Sequence, residues 1–331
     1  VSDMDLDVHR SGTDITEALR ADVREGLRAK RKWLPAKWFY DARGSALFER
    51  ITELPEYYPT RAEREILRGH AAGIADITAA HTLVELGSGS SEKTRLLLDA
   101  LGAHGTLRTF VPLDVSESAL AEAARAIAKE HPALAVHGVV GDFTEHLDLL
   151  PGERPRLVAF LGGTIGNFLP LDRAKFLRSV REVLDPGEWL LLGTDLVKER
   201  ETLERAYDDR EGVTAEFNRN VLAVINERLG ADFDPGAFEH VSYWDAGNEW
   251  IEMRLRARKP MKVRVPGAGI EVEFAEGEYI RTEISVKFRQ EGVRAELAEA
   301  GFRLDRWWTD EEGRFGVSLS CATDGAGGMI E

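Results

Sequence analysis

The sequence predicts an α/β fold built on a parallel sheet, accompanied by a smaller α+β domain assembled from two separate stretches of chain. Two observations carry this. Between about Thr82 and Lys198, short apolar runs (TLVELGSG, TFVPLDV, VHGVVGDF, RLVAFLGGTIGNF, EWLLLGTDLV) alternate with helical patterns (KTRLLLDAL, SALAEAARAIAKE, AKFLRSVREVL). Strands that are apolar throughout need cover on both faces, which the helical crossovers of a parallel sheet supply. Beyond this core the period changes to two, the mark of half-buried antiparallel strands.

Bulk composition is consistent with that architecture. At about 150 residues per domain, 331 residues suggest two domains. Hydrophobic residues at 43 % can form real cores, and charged residues at 31 % can solvate the surface. Lysine and arginine number 43 against 58 acidic residues, a net charge of −15 that repels phosphate backbones. Nucleic acid and anionic membranes are therefore not expected partners. No apolar run approaches the roughly 20 residues of a membrane span, and VSDMDLDVHR lacks the basic and apolar regions of a signal peptide. A soluble, cytoplasmic, monomeric protein is the expectation. Cys321 is the single cysteine, so neither an intrachain disulfide nor a thiolate metal cluster is expected.

Taken in order, the chain opens with a helical pattern (TEALRADVREGL) and an aromatic-rich stretch, KWFYDARGSALFERITELPEYYPTRAE. The α/β core follows. Phe217, Val221, Val224, Ile225 and Leu229 then mark one face of a helix through spacings of three and four. Ile251, Met253, Leu255 and Ala257 alternate with charged residues, and Ile270, Val272 and Phe274 resume the alternation after a turn at 266–269. The segments EGVRAELAEAGFRLDRWW and FGVSLS return to helix and strand and are expected to complete the central sheet. The expected domains are thus 61–196 with 287–321, and 13–60 with 197–286, leaving 322–331 as a frayed tail.

VELGSGSSEKT is a strand, a glycine turn and a helix start. Gly87 and Gly89 permit close approach of main chain to a ligand, but Glu92 stands where a dinucleotide fingerprint needs a third glycine. Asp114 ends the next strand and suits a ribose diol. Asp142 and Phe143 end the third, where they can hydrogen-bond and cover an adenine. Glycine turn, ribose carboxylate and adenine clamp at successive strand ends resemble class I S-adenosylmethionine-dependent methyltransferases, Rossmann-like sheets that bind ligands beyond the carboxyl ends of their strands. Lys93 either reaches the cofactor carboxylate or is a solvated helix residue. At FLGGTIGNF, Gly162 and Gly163 allow close approach, while Asn167 either binds a zwitterion or caps the next helix.

A narrower resemblance rests on KWFYDARGSALFERITELPEYYPTRAE, LVELGSGSSEKTRLLLDA, FLGGTIGNF, LLGTDLVK, AYDD, GVTAEFNRNVLAVINERL and TEISVKF. Together these resemble the histidine-specific Nα-methyltransferases of ergothioneine biosynthesis across nearly the whole chain. The resemblance implies three transfers from S-adenosylmethionine to the α-amine of L-histidine, giving hercynine. It also implies residue roles. Gly87, Lys93, Asp114, Asp142 and Phe143 would hold the cofactor. Tyr57 would bind histidine, Asn167 and Tyr207 its carboxylate, and Glu283 and Ser285 its imidazole. Tyr40 would lie beside the reacting amine, Gly162 would line the substrate pocket, and Met253 would favour histidine over larger aromatics.

Elementary chemistry is compatible with those roles. Alternation in RTEISVKF places Glu283, Ser285 and Lys287 on one strand face. A carboxylate and a hydroxyl can then read the two ring nitrogens, penalising rings that lack them. Tyr40, with a tyrosine's ordinary pKa of about 10, is a positioner before it is a base. Phe48 and Tyr40 can tolerate a growing cationic head by cation–π attraction. Plainer readings stand beside these: a solvated strand face for Glu283 and Ser285, packing for Tyr57 and Tyr58, and a helix-surface tyrosine at Tyr207. Two other functions remain: methylation of tryptophan or tyrosine, and a cofactor-sensing regulator without turnover.

Overall fold

A computed structural model describes residues 4–9, 12–89 and 93–324. In chain order the first elements are β1 (Met4–Val8), α1 (Gly12–Arg28), β2 (Lys32–Trp33), α2 (Ala42–Glu53), α3 (Pro59–Thr78), β3 (Thr82–Leu86) and α4 (Thr94–His104). There follow β4 (Thr109–Asp114), α5 (Glu117–Glu130), β5 (Ala135–Val140), β6 (Arg156–Phe160), α6 (Pro170–Val183) and β7 (Trp189–Asp195). Next come α7 (Arg200–Ala206), α8 (Val213–Leu229), β8 (Phe238–Asp245), β9 (Trp250–Ala257), β10 (Met261–Val265) and β11 (Ile270–Phe274). The last are β12 (Tyr279–Val286), α9 (Gln290–Glu299), β13 (Phe302–Thr309) and β14 (Phe315–Ala322).

These elements form two compact units. The first comprises Val1–His9, Pro59–Val197 and Phe288–Glu331, and the second Arg10–Tyr58 and Lys198–Lys287. The first unit contains one eight-stranded sheet in the order β1-β5-β4-β3-β6-β7-β14-β13. Strands β1 to β7 of this sheet run parallel, and β14 enters antiparallel between β7 and β13. Every residue of β3 and β6 is buried, the polar Thr82, Glu85 and Arg156 included. Strand β3 has β4 on one side and β6 on the other, so the strand order reverses there. Crevices at such reversals, beyond the carboxyl ends of the strands, are where open α/β sheets take ligands.

One edge of this sheet departs from the sequence reading. The acidic opening of the chain supplies β1, whose MDLDV text does not read as a buried strand. It lies beside β5 at the sheet margin, where its Asp7 meets His137 at 2.8 Å. Charged residues are tolerated there because an edge strand is covered on fewer sides. The expected tail begins inside β14 at Ala322, and residues 325–331 lie outside the described residues.

The second unit has its own core. A four-stranded sheet, β2-β12-β9-β8, shares that core with α1, α2 and α8, and β10 and β11 form a separate hairpin. Phe217, Val221, Val224, Ile225 and Leu229 are all buried, as their helical spacing anticipates. The alternation in β9 buries Ile251, Met253, Leu255 and Ala257.

Candidate functional site

In the first unit the strand ends converge on the glycine turn. The Gly87 and Ser88 N–H groups donate to the Leu113 carbonyl at 2.9 and 3.2 Å. Gly87 and Gly89 have φ of +69° and +50°, the left-handed region that glycine enters without a Cβ penalty. The Asp114 carboxylate accepts from the Gly89 N–H at 3.0 Å and from the Ser116 N–H at 2.9 Å. Burial pushes its carboxyl above the ordinary 3.8, while backbone donors at Gly89, Ser116 and Val115 pull it back. A carboxylate has about four lone-pair positions, so these contacts leave it able to accept from a diol. A Cβ on Gly87 would stand 3.6 Å from the Phe143 ring, which places that ring edge over the turn. Phe143 is in turn set by Phe160 and Phe176, with centroids at 5.2 and 5.8 Å. Asp142 is oriented by the Thr144 N–H and hydroxyl at 2.9 and 2.6 Å. Bare main chain, a carboxylate with spare capacity and a flat aromatic cover fit an adenosine-bearing cofactor. Glu92, the residue that argued against a dinucleotide, lies outside the described residues.

For Lys93 the geometry speaks against one of the two readings. Its ammonium forms an ion pair with Glu63, which is fully buried, so it is not a solvated helix residue. The same Glu63 carboxylate accepts from the Gly162 N–H at 2.8 and 2.9 Å. Glu63 therefore ties the start of α4 to the loop after β6, and Gly162 (φ +78°) brings bare main chain to within reach of Lys93. Sequence reasoning missed Glu63, although a signal exists: it falls on the buried stripe of α3 among Ala62, Ile66 and Leu67. Asn167 closes the short turn that follows β6. It does not cap α6, whose N-cap position is Leu169.

The second unit gathers the aromatic candidates. Tyr40 meets Phe48 and Phe217, each at 5.6 Å between centroids. Phe48 meets Tyr57 at 6.2 Å, and Tyr57 meets Tyr207 at 6.3 Å. Edge-on ring contacts of this kind fix orientation as well as burying area. Tyr207 is buried, not a helix-surface residue, and Tyr58 is buried with its hydroxyl taking a hydrogen bond from Lys198 at 2.7 Å.

Side chains on β9 and β12 complete this half. Glu283 stands opposite Met253 in the antiparallel register, and Ser285 opposite Ile251. Ser285 is 6 % exposed and Lys287, just past the strand, 2 %, so Ser285 is not solvated, while Glu283 is half-buried. Ser285 Oγ lies 2.8 Å from the Tyr207 hydroxyl, and Lys287 Nζ donates to Ser285 at 2.8 Å and to Tyr207 at 3.0 Å. Tyr207 is also held through its main chain, since His240 Nε2 lies 2.7 Å from the Tyr207 carbonyl, and Nδ1 2.8 Å from Asn218 Nδ2. This arrangement suits a neutral ring that donates at one nitrogen and accepts at the other. Burial holds the His240 pKa below the ordinary 6.5, in keeping with that neutral form. Among the described residues no cluster of three or more His, Cys, Asp or Glu is arranged to hold a metal.

Comparison with known proteins gives a consistent answer. Residues 19–322 match a family described as histidine-specific methyltransferase, SAM-dependent. A histidine N-alpha-methyltransferase of Mycolicibacterium smegmatis is 58 % identical over 304 residues, covering 92 % of this chain and 95 % of that protein. One of Mycobacterium tuberculosis is 57 % identical over 303 residues, covering 92 % and 94 %. The ergothioneine biosynthesis protein 1 of Neurospora crassa is 34 % identical over 232 residues, covering 68 % of this chain and 26 % of that longer protein.

Proposed function

We propose, because this chain belongs to the SAM-dependent, histidine-specific methyltransferase family, that it methylates the α-amine of L-histidine three times to give hercynine for ergothioneine biosynthesis. The observation that supports histidine is the buried contact between Ser285 and Tyr207, on the strand where Glu283 stands opposite Met253. An apolar pocket would accept any aromatic amino acid of the right size. Polar groups in such a pocket penalise a ring that cannot pair with them.

S-adenosylmethionine, when bound, supplies a methyl carbon on a sulfonium and leaves as S-adenosylhomocysteine. Gly87, Lys93, Asp114, Asp142 and Phe143 are the residues proposed to hold it. Tyr57, Gly162, Asn167, Tyr207, Met253, Glu283 and Ser285 are proposed for histidine, with Asn167 and Tyr207 on the carboxylate, and Glu283 and Ser285 on the imidazole. The amine must be neutral to attack, so it sheds a proton before each transfer, and its lone pair must lie in line with the breaking carbon–sulfur bond. Tyr40 is proposed as the group that orients that amine. Its ring is pinned by Phe48 and Phe217, which suits positioning. The faces of these rings also suit the cationic trimethylammonium head of the product.

The proposal further places donor binding on 61–196 with 287–321, substrate binding on 13–60 with 197–286, and the protein as a cytoplasmic monomer. No described helix is long and apolar enough to cross a membrane. The test is one mass-spectrometric assay with S-adenosylmethionine and each of histidine, tryptophan and tyrosine. Trimethylated histidine is expected. Methylated tryptophan or tyrosine instead would reassign the substrate, and cofactor binding without product would make the protein a sensor.

A further inference from the structure

Lys287 is a large polar side chain in the interior of its unit, and no role in the reaction has been assigned to it. It is 2 % exposed just past the end of β12, two residues after Ser285, which is proposed to touch substrate. Lysine carries three N–H donors and no acceptor. Here one hydrogen bond goes to Tyr207 and one to Ser285, and Nζ also sits 4.7 Å from the centre of the Tyr207 ring. The two hydroxyl oxygens are themselves 2.8 Å apart.

Counting protons gives this triangle a direction. Each hydroxyl owns one hydrogen, and both oxygens already accept from Lys287. One hydroxyl hydrogen fills the contact between Tyr207 and Ser285. The other hydroxyl hydrogen is not used within the triangle. An acidic ligand group is the best acceptor for it, because the positive charge behind the two oxygens strengthens the donor.

We propose that Lys287 is a positioning residue for the amino-acid substrate. It orients the Tyr207 and Ser285 hydroxyls and sets a positive charge behind them, so that recognition of the substrate carboxylate is coupled to recognition of its ring. The inference rests on the assignment of Tyr207 and Ser285 to the substrate, and it predicts that the penalty for losing Lys287 depends on the ligand having a carboxylate.

The test uses the full chain saturated with S-adenosylhomocysteine and measures L-histidine and histamine binding by calorimetry. Histamine keeps the ring and the amine but lacks the carboxylate. Lys287→Met is expected to weaken histidine about 30-fold, the scale of a lost charge-assisted hydrogen bond, and histamine only about 3-fold, through the loosened Ser285 contact to the ring. Lys287→Gln keeps donors without the charge and is expected to fall between Met and wild type. It carries the same comparison if the Met variant fails to bind S-adenosylhomocysteine. Equal losses for both ligands would mean a structural role and overturn the inference, as would unchanged histidine binding. In that second case Tyr207→Phe and Ser285→Ala locate the error. If both weaken histidine, Lys287 alone was misassigned; if neither does, the substrate assignment has failed with it.

Discussion

The two units place their candidate residues by different means. In the first, main chain does most of the placing: positive-φ glycines, strand ends, and carboxylates that accept from backbone N–H groups at Gly89, Ser116 and Gly162. In the second, side chains hold side chains, through ring contacts and the triangle of Tyr207, Ser285 and Lys287. A site placed by main chain changes only with the backbone that carries it. A side-chain site can change its preference with one substitution and keep its fold. Nucleotide recognition and ring recognition thus ask for different chemistry from the same chain.

The largest expected effect probes the main-chain half. A Cβ on Gly193 would fall 2.1 Å from the buried Glu63 carboxylate and 3.2 Å from Phe315. Gly193→Val should cost about 3 kcal/mol or more and abolish S-adenosylhomocysteine binding, measured by denaturant unfolding and calorimetry. Stable, donor-binding protein would break the contrast, because the glycine and the carboxylate would then not constrain each other. Next is Tyr40→Phe, which should lower kcat about 100-fold with little change in histidine KM. An unaltered kcat would remove Tyr40 from the reaction.

Glu283→Ala should follow, raising histidine KM about tenfold or more and narrowing the preference over tryptophan and tyrosine, while donor affinity stays put. Weakened donor binding in that variant would blur the division between the two halves.

The smallest effect concerns the start of α8. The Asp209 carboxylate accepts from the N–H groups of Val213 and Thr214 at 3.0 and 2.7 Å. Burial raises its pKa, but the donors at Thr214 and Val213 outweigh burial and leave it below the ordinary 3.8. A lowered folded pKa stabilises the fold above the unfolded pKa, and that stability disappears as pH falls through the folded value. Asp209→Asn should therefore cost about 1 kcal/mol near pH 7, and the difference from wild type should vanish in strong acid. A difference that persists there would place the effect in packing.

What could be read from the sequence follows the same contrast. The parallel sheet and the glycine turn were legible because their signals are local: five-residue apolar runs and a pair of glycines at a strand end. Glu63 was not, since its partners Lys93 and Gly162 lie 30 and 99 residues away and no local pattern links them. Lys287 was legible as a neighbour of Ser285 on one strand face, but its burial depends on what covers that face, which periodicity does not reveal. Asn167 as a helix cap was a reasonable local reading that lost because the helix begins two residues later, with Pro170 already supplying its first turn. The acidic strand β1 escaped because its edge position freed it from the apolar pattern.

The antiparallel entry of β14 between β7 and β13 has a consequence for how the chain is made. During synthesis the second unit is complete once Lys287 has emerged, whereas the first still lacks its last three elements. The second unit, whose two stretches have by then both emerged, is therefore free to fold first, and the one whose strands began earlier must wait with β7 exposed as an edge. Docking of β14 then completes the sheet, with a strand translated more than a hundred residues after the neighbour it joins.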